Sequence, residues 1–417
     1  MPSQLPAIAA TQVFSNSRAK AAIVYGDHRR GILSHRACLE ARAQVATWPG
    51  YAVTPLRSLP GLAAATNVAD LLYKDEGQRF GLGSFKALGG AYAVSRLLIR
   101  EVKRHTKATS IDAADLISGR YRALTENITV TCATDGNHGR SVAWGAHLFG
   151  CRCVIYVHAS VSVARKQAIA RYGADVVTTQ GHYDDAIRQA ASDAADHGRQ
   201  VVSDTSYEGY MEIPKDVMQG YTVMVDEIIE QLAMGWPPTH VFVQGGVGGL
   251  AAAVCTYFWE RYEAQRPCFV VVEPDNADCI YQSIVHDKPT PSPGALDTVM
   301  AGLACGEISL LAWDILAEGA NAIMTVDDRA AVACMRLLAK GIGDDPPIVA
   351  GESAVAGLAG FIGATQDPIL RERLGISDTS RILLIGSEGD TDPELYQRLV
   401  GYSAGQVRAG AVATRQS

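Results

Sequence analysis

From about residue 127 onward the chain alternates short apolar, β-branched runs with longer stretches of helical period. ITVTCAT (Ile128 to Thr134) reads as a buried strand, followed by a helix from about His138 to Phe149. RCVIYVH, ADVVTT and QVVS read as further strands, with ARKQAIARY and DDAIRQAASDAADH as the helices between them. The pattern resumes with the strand HVFVQ, the helix LAAAVCTYFWERY, the strand CFVVVE and, near the end, RILLIG. Continuous apolar runs, rather than strict alternation, mark strands covered on both faces. Helices between them mark βαβ units with parallel pairing. The pattern predicts an α/β fold. Three stretches interrupt it: GLGSFKALGG (Gly81 to Gly90), the glycines after HVFVQ, and HDKPTPSPGALDT, which reads as a surface loop. Arg96–Arg122 is dense in basic residues and reads as a solvated helical insertion. The stretch after Tyr402 reads as a frayed tail.

The chain has 417 residues, enough for two or three lobes, with 48% hydrophobic and 19% charged residues, an ordinary globular balance. A formal net charge of −7 and no basic run disfavour nucleic acid as a partner. No segment has the roughly 18 consecutive apolar residues of a membrane span, and the first residues lack a secretory pattern. The expected location is cytoplasmic. The nine cysteines are scattered with no CxxC, so reduced core cysteines are expected and a zinc site is not.

Three motifs carry candidate chemistry. QGGVGGLAA (Gln244 to Ala252) follows a strand and opens a helix. Glycines allow close backbone approach and a helix start offers N–H groups to an anion, so a phosphate is the natural guest; a tight strand–helix turn is the equal alternative. The stretch lacks the Walker Lys-Ser/Thr and a full GxGxxG. TCATDGNHGRSVAW (Thr131 to Trp144) places Thr134, Asp135, Gly136, Asn137 and His138 in a loop after a strand, where α/β sheets bind ligands. Helix capping is the plain alternative for Asn137 and His138, and for His138 taken alone a capping or satisfied-surface role reads better. Lys86 stands at the start of a helix, whose positive end disfavours its ammonium form, as a nucleophilic lysine requires. An isolated lysine there would read as an ordinary surface charge.

Together, SFK, TDGNH and the glycine loop, in that order, resemble the tryptophan-synthase-β-like, fold type II pyridoxal-phosphate enzymes. IGSEGDTDPELY (Ile385 to Tyr396) extends the likeness. YKDEGQRFGLGSFKALGGAYA, ATDGNHGRSVAWGA, DTSYEGYMEIPKDVMQGY, VEPDNADC, GLACGE and EGDTDPELY resemble the branch of 2,3-diaminopropionate ammonia-lyases. The resemblance spans about Arg57 to Arg398. It implies a two-domain enzyme with pyridoxal 5'-phosphate in the interdomain cleft. The large cofactor-binding domain would be residues 1–126 and 206–417, and the small domain 127–205.

The implied roles follow the motifs. Lys86 carries the cofactor as a Schiff base. Asn137 meets the pyridoxal 3′-oxygen, and Gly245, Gly246, Val247, Gly248 and Gly249 form the phosphate cup. Ser387 partners the pyridine nitrogen as a neutral hydroxyl, which suits β-elimination. Thr134, Asp135, Gly136 and His138 hold the substrate. Asp135 and Asp204 are the paired carboxylates, Asp135 serving the D-isomer and Asp204 the L-isomer. Read without the family, Asp204 is a turn or cap residue after QVVS. Cys279 and Cys305 lie in two of the shared motifs and are expected close together near the site, within reach of a disulfide. The implied reaction is α,β-elimination of ammonia from 2,3-diaminopropionate to pyruvate by way of aminoacrylate, in a homodimer. A threonine/serine dehydratase or a β-replacement synthase is the alternative. Asp135 argues against both, because an uncharged β-substituent needs no carboxylate partner. A non-catalytic cofactor-binding protein is disfavoured by the intact Lys86 and Asn137.

Overall fold

In a computed structural model, residues 5–134, 136–180, 183–232 and 237–411 are described. Their strands are β1 (Gln12–Ser15), β2 (Leu56–Ser58), β3 (Asp70–Asp75), β4 (Thr129–Ala133), β5 (Arg152–His158), β6 (Asp175–Thr179), β7 (Gln200–Val201), β8 (His240–Gln244), β9 (Cys268–Pro274), β10 (Ala322–Val326) and β11 (Arg381–Gly386). The chain divides into two units. The first is Met1–Gly31, Thr54–Gln78 and Val225–Ser417; the second is Ile32–Val53 and Arg79–Met224. The expected small domain, 127–205, lies wholly inside the second unit, which also takes in residues 32–53, 79–126 and 206–224.

The first unit holds a seven-stranded sheet in the order β1-β10-β9-β8-β11-β3-β2. The five central strands are parallel, and β1 and β2 join antiparallel at the edges. Every residue of β8 and β10 is buried, which is why their sequences run apolar without alternation. A fully buried ion pair lies under β3: Lys74 Nζ donates to Glu227 Oε2 (2.9 Å), to the Thr54 carbonyl (2.9 Å) and to Gln231 Oε1 (2.9 Å). All three ammonium hydrogens are thereby used, as a buried charge requires.

The second unit holds a four-stranded parallel sheet, β6-β5-β4-β7. Beside it, the helices Lys86–His105 and Asn137–Phe149 pack closely. The glycines of ALGG make this possible. A Cβ on Gly90 would strike Ser141, and one on Gly145 would come within 2.8 Å of the Ala91 Cα. A Cβ on Gly89 would sit 2.7 Å from the Val217 carbonyl. The segment Ile32–Val53 joins this unit through Trp48, whose ring lies 5.4 Å from Phe149, 5.9 Å from Trp144 and 6.0 Å from Phe80.

Two expectations are corrected here. Arg96–Arg122 is not a solvated insertion: Leu97, Leu98, Ile99, Val102, Ile111, Ala113 and Leu116 are all buried. Its basic residues occupy the outer positions of helices whose inner stripe packs on the unit. The tail past Tyr402 forms a helix, Ala404–Arg408, closed by a reciprocal Ser403–Gln406 cap and anchored by buried Val407. Residues 412–417 lie outside the described part. Among the described residues no helix is long and apolar enough to cross a membrane.

Candidate active site

The expected site residues form two clusters, one in each unit. In the second unit, β4 and β7 are neighbours, so the loops leaving them share one edge of the sheet. Thr134 shapes the loop after β4. Its buried Oγ1 accepts from the N–H groups of Gly136 (3.0 Å) and Gly139 (3.1 Å). This starts the helix at Asn137 and leaves the hydroxyl hydrogen of Thr134 to donate. Asp135 lies outside the described residues. His138 is not the surface or capping residue its position alone suggested. It is 7% exposed, and its Nε2 donates to the Val202 carbonyl at 2.7 Å.

Asp204 follows β7. Lys86 opens its helix, as the sequence implies, and its Nζ donates to Asp204 Oδ2. His138 Nδ1 lies 3.8 Å from the same carboxylate oxygen. Burial pushes the Asp204 carboxyl up. The Lys86 ammonium, the His138 ring and the Lys86 hydrogen bond outweigh it and hold the group well below the usual carboxylate range. The bland reading of Asp204 as a turn residue is therefore incomplete: its side chain faces the lysine 118 positions away.

The floor under Lys86 is aromatic. Nζ stands 5.5 Å from the Phe85 ring centroid and 5.8 Å from that of Tyr221, and the two rings are 4.6 Å apart. Ser141 Oγ donates to the Lys86 carbonyl at 2.6 Å and accepts from the Ala91 N–H, pinning the first turn of that helix. Sequence reading missed Tyr221 and Ser141. Neither carries a local signal, because each reaches Lys86 only through helix packing.

In the first unit, the carboxyl ends of β8, β9 and β11 lie side by side. The glycine loop leaves β8, Ser387 directly follows β11, and Glu273 is near the end of β9. Gln244 Nε2 ties β8 to the Ile385 carbonyl of β11 at 3.0 Å. The Gly245 amide donates to the Val272 carbonyl (2.9 Å), so it belongs to the sheet rather than to a ligand. Gly246 (φ +71°) and Gly248 (φ +92°) take left-handed backbone, and the helix Gly249–Tyr262 begins at once. Such a turn presents successive N–H groups to an anion. A Cβ on Gly246 would point toward the Gly302 carbonyl (3.4 Å), Leu303 (3.6 Å) and Cys305 Sγ (3.7 Å). Bare backbone keeps that space open.

Ser387 is buried. Beside it, the Glu388 carboxylate accepts from the Ser353 N–H (3.0 Å). Cys279 Sγ donates to the Gly246 carbonyl (3.5 Å), and Cys305 lies against the same glycine. The two cysteines thus both lie beside the loop. Burial pushes the Cys279 thiol up. Sequence reading also missed Glu273. It is fully buried, and its carboxyl accepts from the N–H groups of Ile280 (3.0 Å) and Tyr281 (2.7 Å). Burial outweighs those bonds and pushes it up to about 8.

A half-buried primary amine on a carboxylate, a glycine-lined anion cup at a helix start and a buried hydroxyl at a strand end are the donor set that pyridoxal phosphate requires. The family described as pyridoxal-phosphate dependent enzyme matches residues 47–388, and the chain belongs to it. Diaminopropionate ammonia-lyase from Escherichia coli (strain K12) is 42% identical over 356 residues, 84% of this chain and 88% of that protein. The enzyme of the same name from Salmonella typhimurium is 38% identical over 361 residues, 84% of this chain and 89% of that one. The crystal structure of the Escherichia coli enzyme in complex with D-serine matches with a TM-score of 0.86 at 37% identity, covering 95% of this chain and 98% of that one. Its complex with an aminoacrylate-PLP azomethine reaction intermediate matches at 0.84, with the same identity and coverage.

Proposed function

We propose that this chain eliminates ammonia from 2,3-diaminopropionate, giving 2-aminoacrylate that water converts to pyruvate and a second ammonia. The observation that carries this reading is Lys86 held on Asp204, in a chain 42% identical to a diaminopropionate ammonia-lyase. Pyridoxal phosphate, when bound, supplies an electron-withdrawing ring that makes the hydrogen on the substrate's α-carbon acidic. Lys86 would hold its carbonyl carbon, Asn137 its ring oxygen and Ser387 its ring nitrogen. The N–H groups from Gly246 to Gly249 would take its phosphate, since that of Gly245 is already used.

The chain's own residues then divide the work. Asp204 takes the α-proton from one face, because proton transfer needs approximately hydrogen-bond contact. Asp135 is the corresponding base for the opposite hand of substrate. Either carboxylate also gives the β-ammonium an anionic neighbour, which a dehydratase substrate would not need. The Phe85 and Tyr221 rings exclude water from one side of the Lys86 amine. As part of the same reading, the enzyme acts as a homodimer in the cytoplasm.

Two measurements test the proposal. Purified protein assayed for pyruvate should turn over diaminopropionate far faster than serine or threonine. Borohydride reduction should fix the cofactor onto the peptide containing Lys86. Serine or threonine as the preferred substrate, or label on another lysine, would overturn it.

A further inference from the structure

We propose that His138 Nδ1 receives the proton that Asp204 takes from the substrate, so that the two side chains act as one base. The inference rests on Asp204 being the base in the function proposed above.

It begins from a hydrogen-bond constraint. The Val202 carbonyl can only accept, so the His138 Nε2 beside it carries a hydrogen. In a neutral ring Nδ1 is then a bare acceptor. That atom is buried and has no hydrogen-bond partner among the described residues. Asp204 Oδ2 stands 3.8 Å from it, and an ionised carboxylate is also an acceptor. Two acceptors facing each other in a buried space leave a defect that costs about 1–3 kcal/mol. One added proton removes it. The arrangement is satisfied when Asp204 has taken a proton, and unsatisfied before.

Lys86 controls when that can happen. With its ammonium on Asp204, the carboxylate is a weak base and the extra proton is excluded. Once Lys86 no longer presents an ammonium, Asp204 is free to turn toward the ring. The step balances. The substrate C–H bond breaks and its electron pair stays on carbon, the proton forms an O–H on Asp204, and that O–H gives its hydrogen to Nδ1. An imidazolium and a carboxylate result, with Nε2–H still on Val202. His138 does not touch the reacting carbon and acts through Asp204, as a positioning residue.

The charged neighbours agree in sign. Burial lowers the His138 pKa, Asp204 raises it and Lys86 lowers it further. Among the described residues, Cys132, Tyr210 and Tyr221 also feel the Asp204 charge; all are pushed up by burial and neutral at pH 7.

The test is a histidine-selective ¹⁵N NMR titration of the full chain without added substrate, with the His138 signal assigned by its loss in His138→Gln. Wild type should show a neutral ring carrying hydrogen on Nε2. Lys86→Met should raise the His138 midpoint, and Asp204→Asn should lower it, each by the roughly 1–3 pH units typical of a neighbouring charge. A hydrogen on Nδ1, or a midpoint unmoved by Asp204→Asn, would overturn the inference. In the holoenzyme, His138→Gln and His138→Asn should lower kcat by at least about 10²-fold on one hand of diaminopropionate, with KM little changed. Equal losses on both hands, residing in KM, would mean a structural histidine. Absence of pyruvate from either isomer in wild type would sink the proposed function, while the titration would still decide the Asp204–His138 coupling.

Discussion

Glu273 shows how a single buried side chain sets a pH dependence. Its carboxyl accepts from two backbone N–H groups and the Cys279 thiol, and Asp278 adds a like charge. The folded value, about 8, lies above the ordinary 4.5, so folding favours the protonated form. The associated stability is fully present below about pH 4.5 and is lost as pH rises through about 8, with a slope of at most about 1.4 kcal/mol per pH unit. Glu273→Gln resembles the neutral acid, and should flatten that decline. Urea midpoints at about pH 5 and about pH 8 would measure it; an unchanged difference between the two would refute the assignment. At this scale Lys86 was legible from its motif, and Asp204 only through the family likeness, since a lone aspartate after a short strand reads as a turn. Glu273 lay inside a quoted motif, yet nothing local shows that its side chain points into the interior. Tyr221 reaches Lys86 by a contact 135 positions away along the chain, which no local pattern encodes.

The glycine loop after β8 belongs to the scale of elements. Gly246 serves two demands at once: a backbone angle that β-branched residues avoid, and a bare surface beside Gly302, Leu303 and Cys305. Gly246→Val should leave the far-ultraviolet circular dichroism near that of wild type while weakening pyridoxal phosphate retention by at least about 10-fold, since one lost charge-assisted hydrogen bond is worth roughly 1.5–3 kcal/mol. Retention by a folded variant equal to wild type would show that the cup does not depend on this turn. The strands β4, β5, β8 and β11 and the helices between them were legible because burial on both faces leaves an uninterrupted apolar run. The basic Arg96–Arg122 stretch was misread for the opposite reason. Its charges are conspicuous in composition, but a helix needs only a stripe of apolar residues to pack. The ALGG glycines were legible as part of the helix that Lys86 opens, but not as the surface that lets other helices approach.

Over the whole molecule the two sheets differ in how far they reach along the chain. In the four-stranded sheet, pairing of β4 with β5 joins residue 129 to residue 152, and all its strands lie within one continuous stretch. The seven-stranded sheet joins residue 12 to residue 325 and residue 70 to residue 381, with its strands drawn from three separate segments. This discontinuity was hidden from sequence reading. The period of a strand shows that it is buried, not which partner it finds. Closing the longer loops costs about 2.3 kcal/mol more than closing the β4–β5 loop, on the logarithmic scaling of loop entropy. That cost falls due before any long-range contact can offset it. Refolding should therefore order β4, β5 and β6 first, with β1, β3 and β11 gaining protection later. Pulsed hydrogen exchange during refolding from urea measures this directly, with the amides of Val154 to Val157 on β5 compared against Leu383 to Ile385 on β11. Protection of the β11 amides at the same time as β5, or ahead of it, would mean that the long-range pairings nucleate the fold and that loop closure does not limit it.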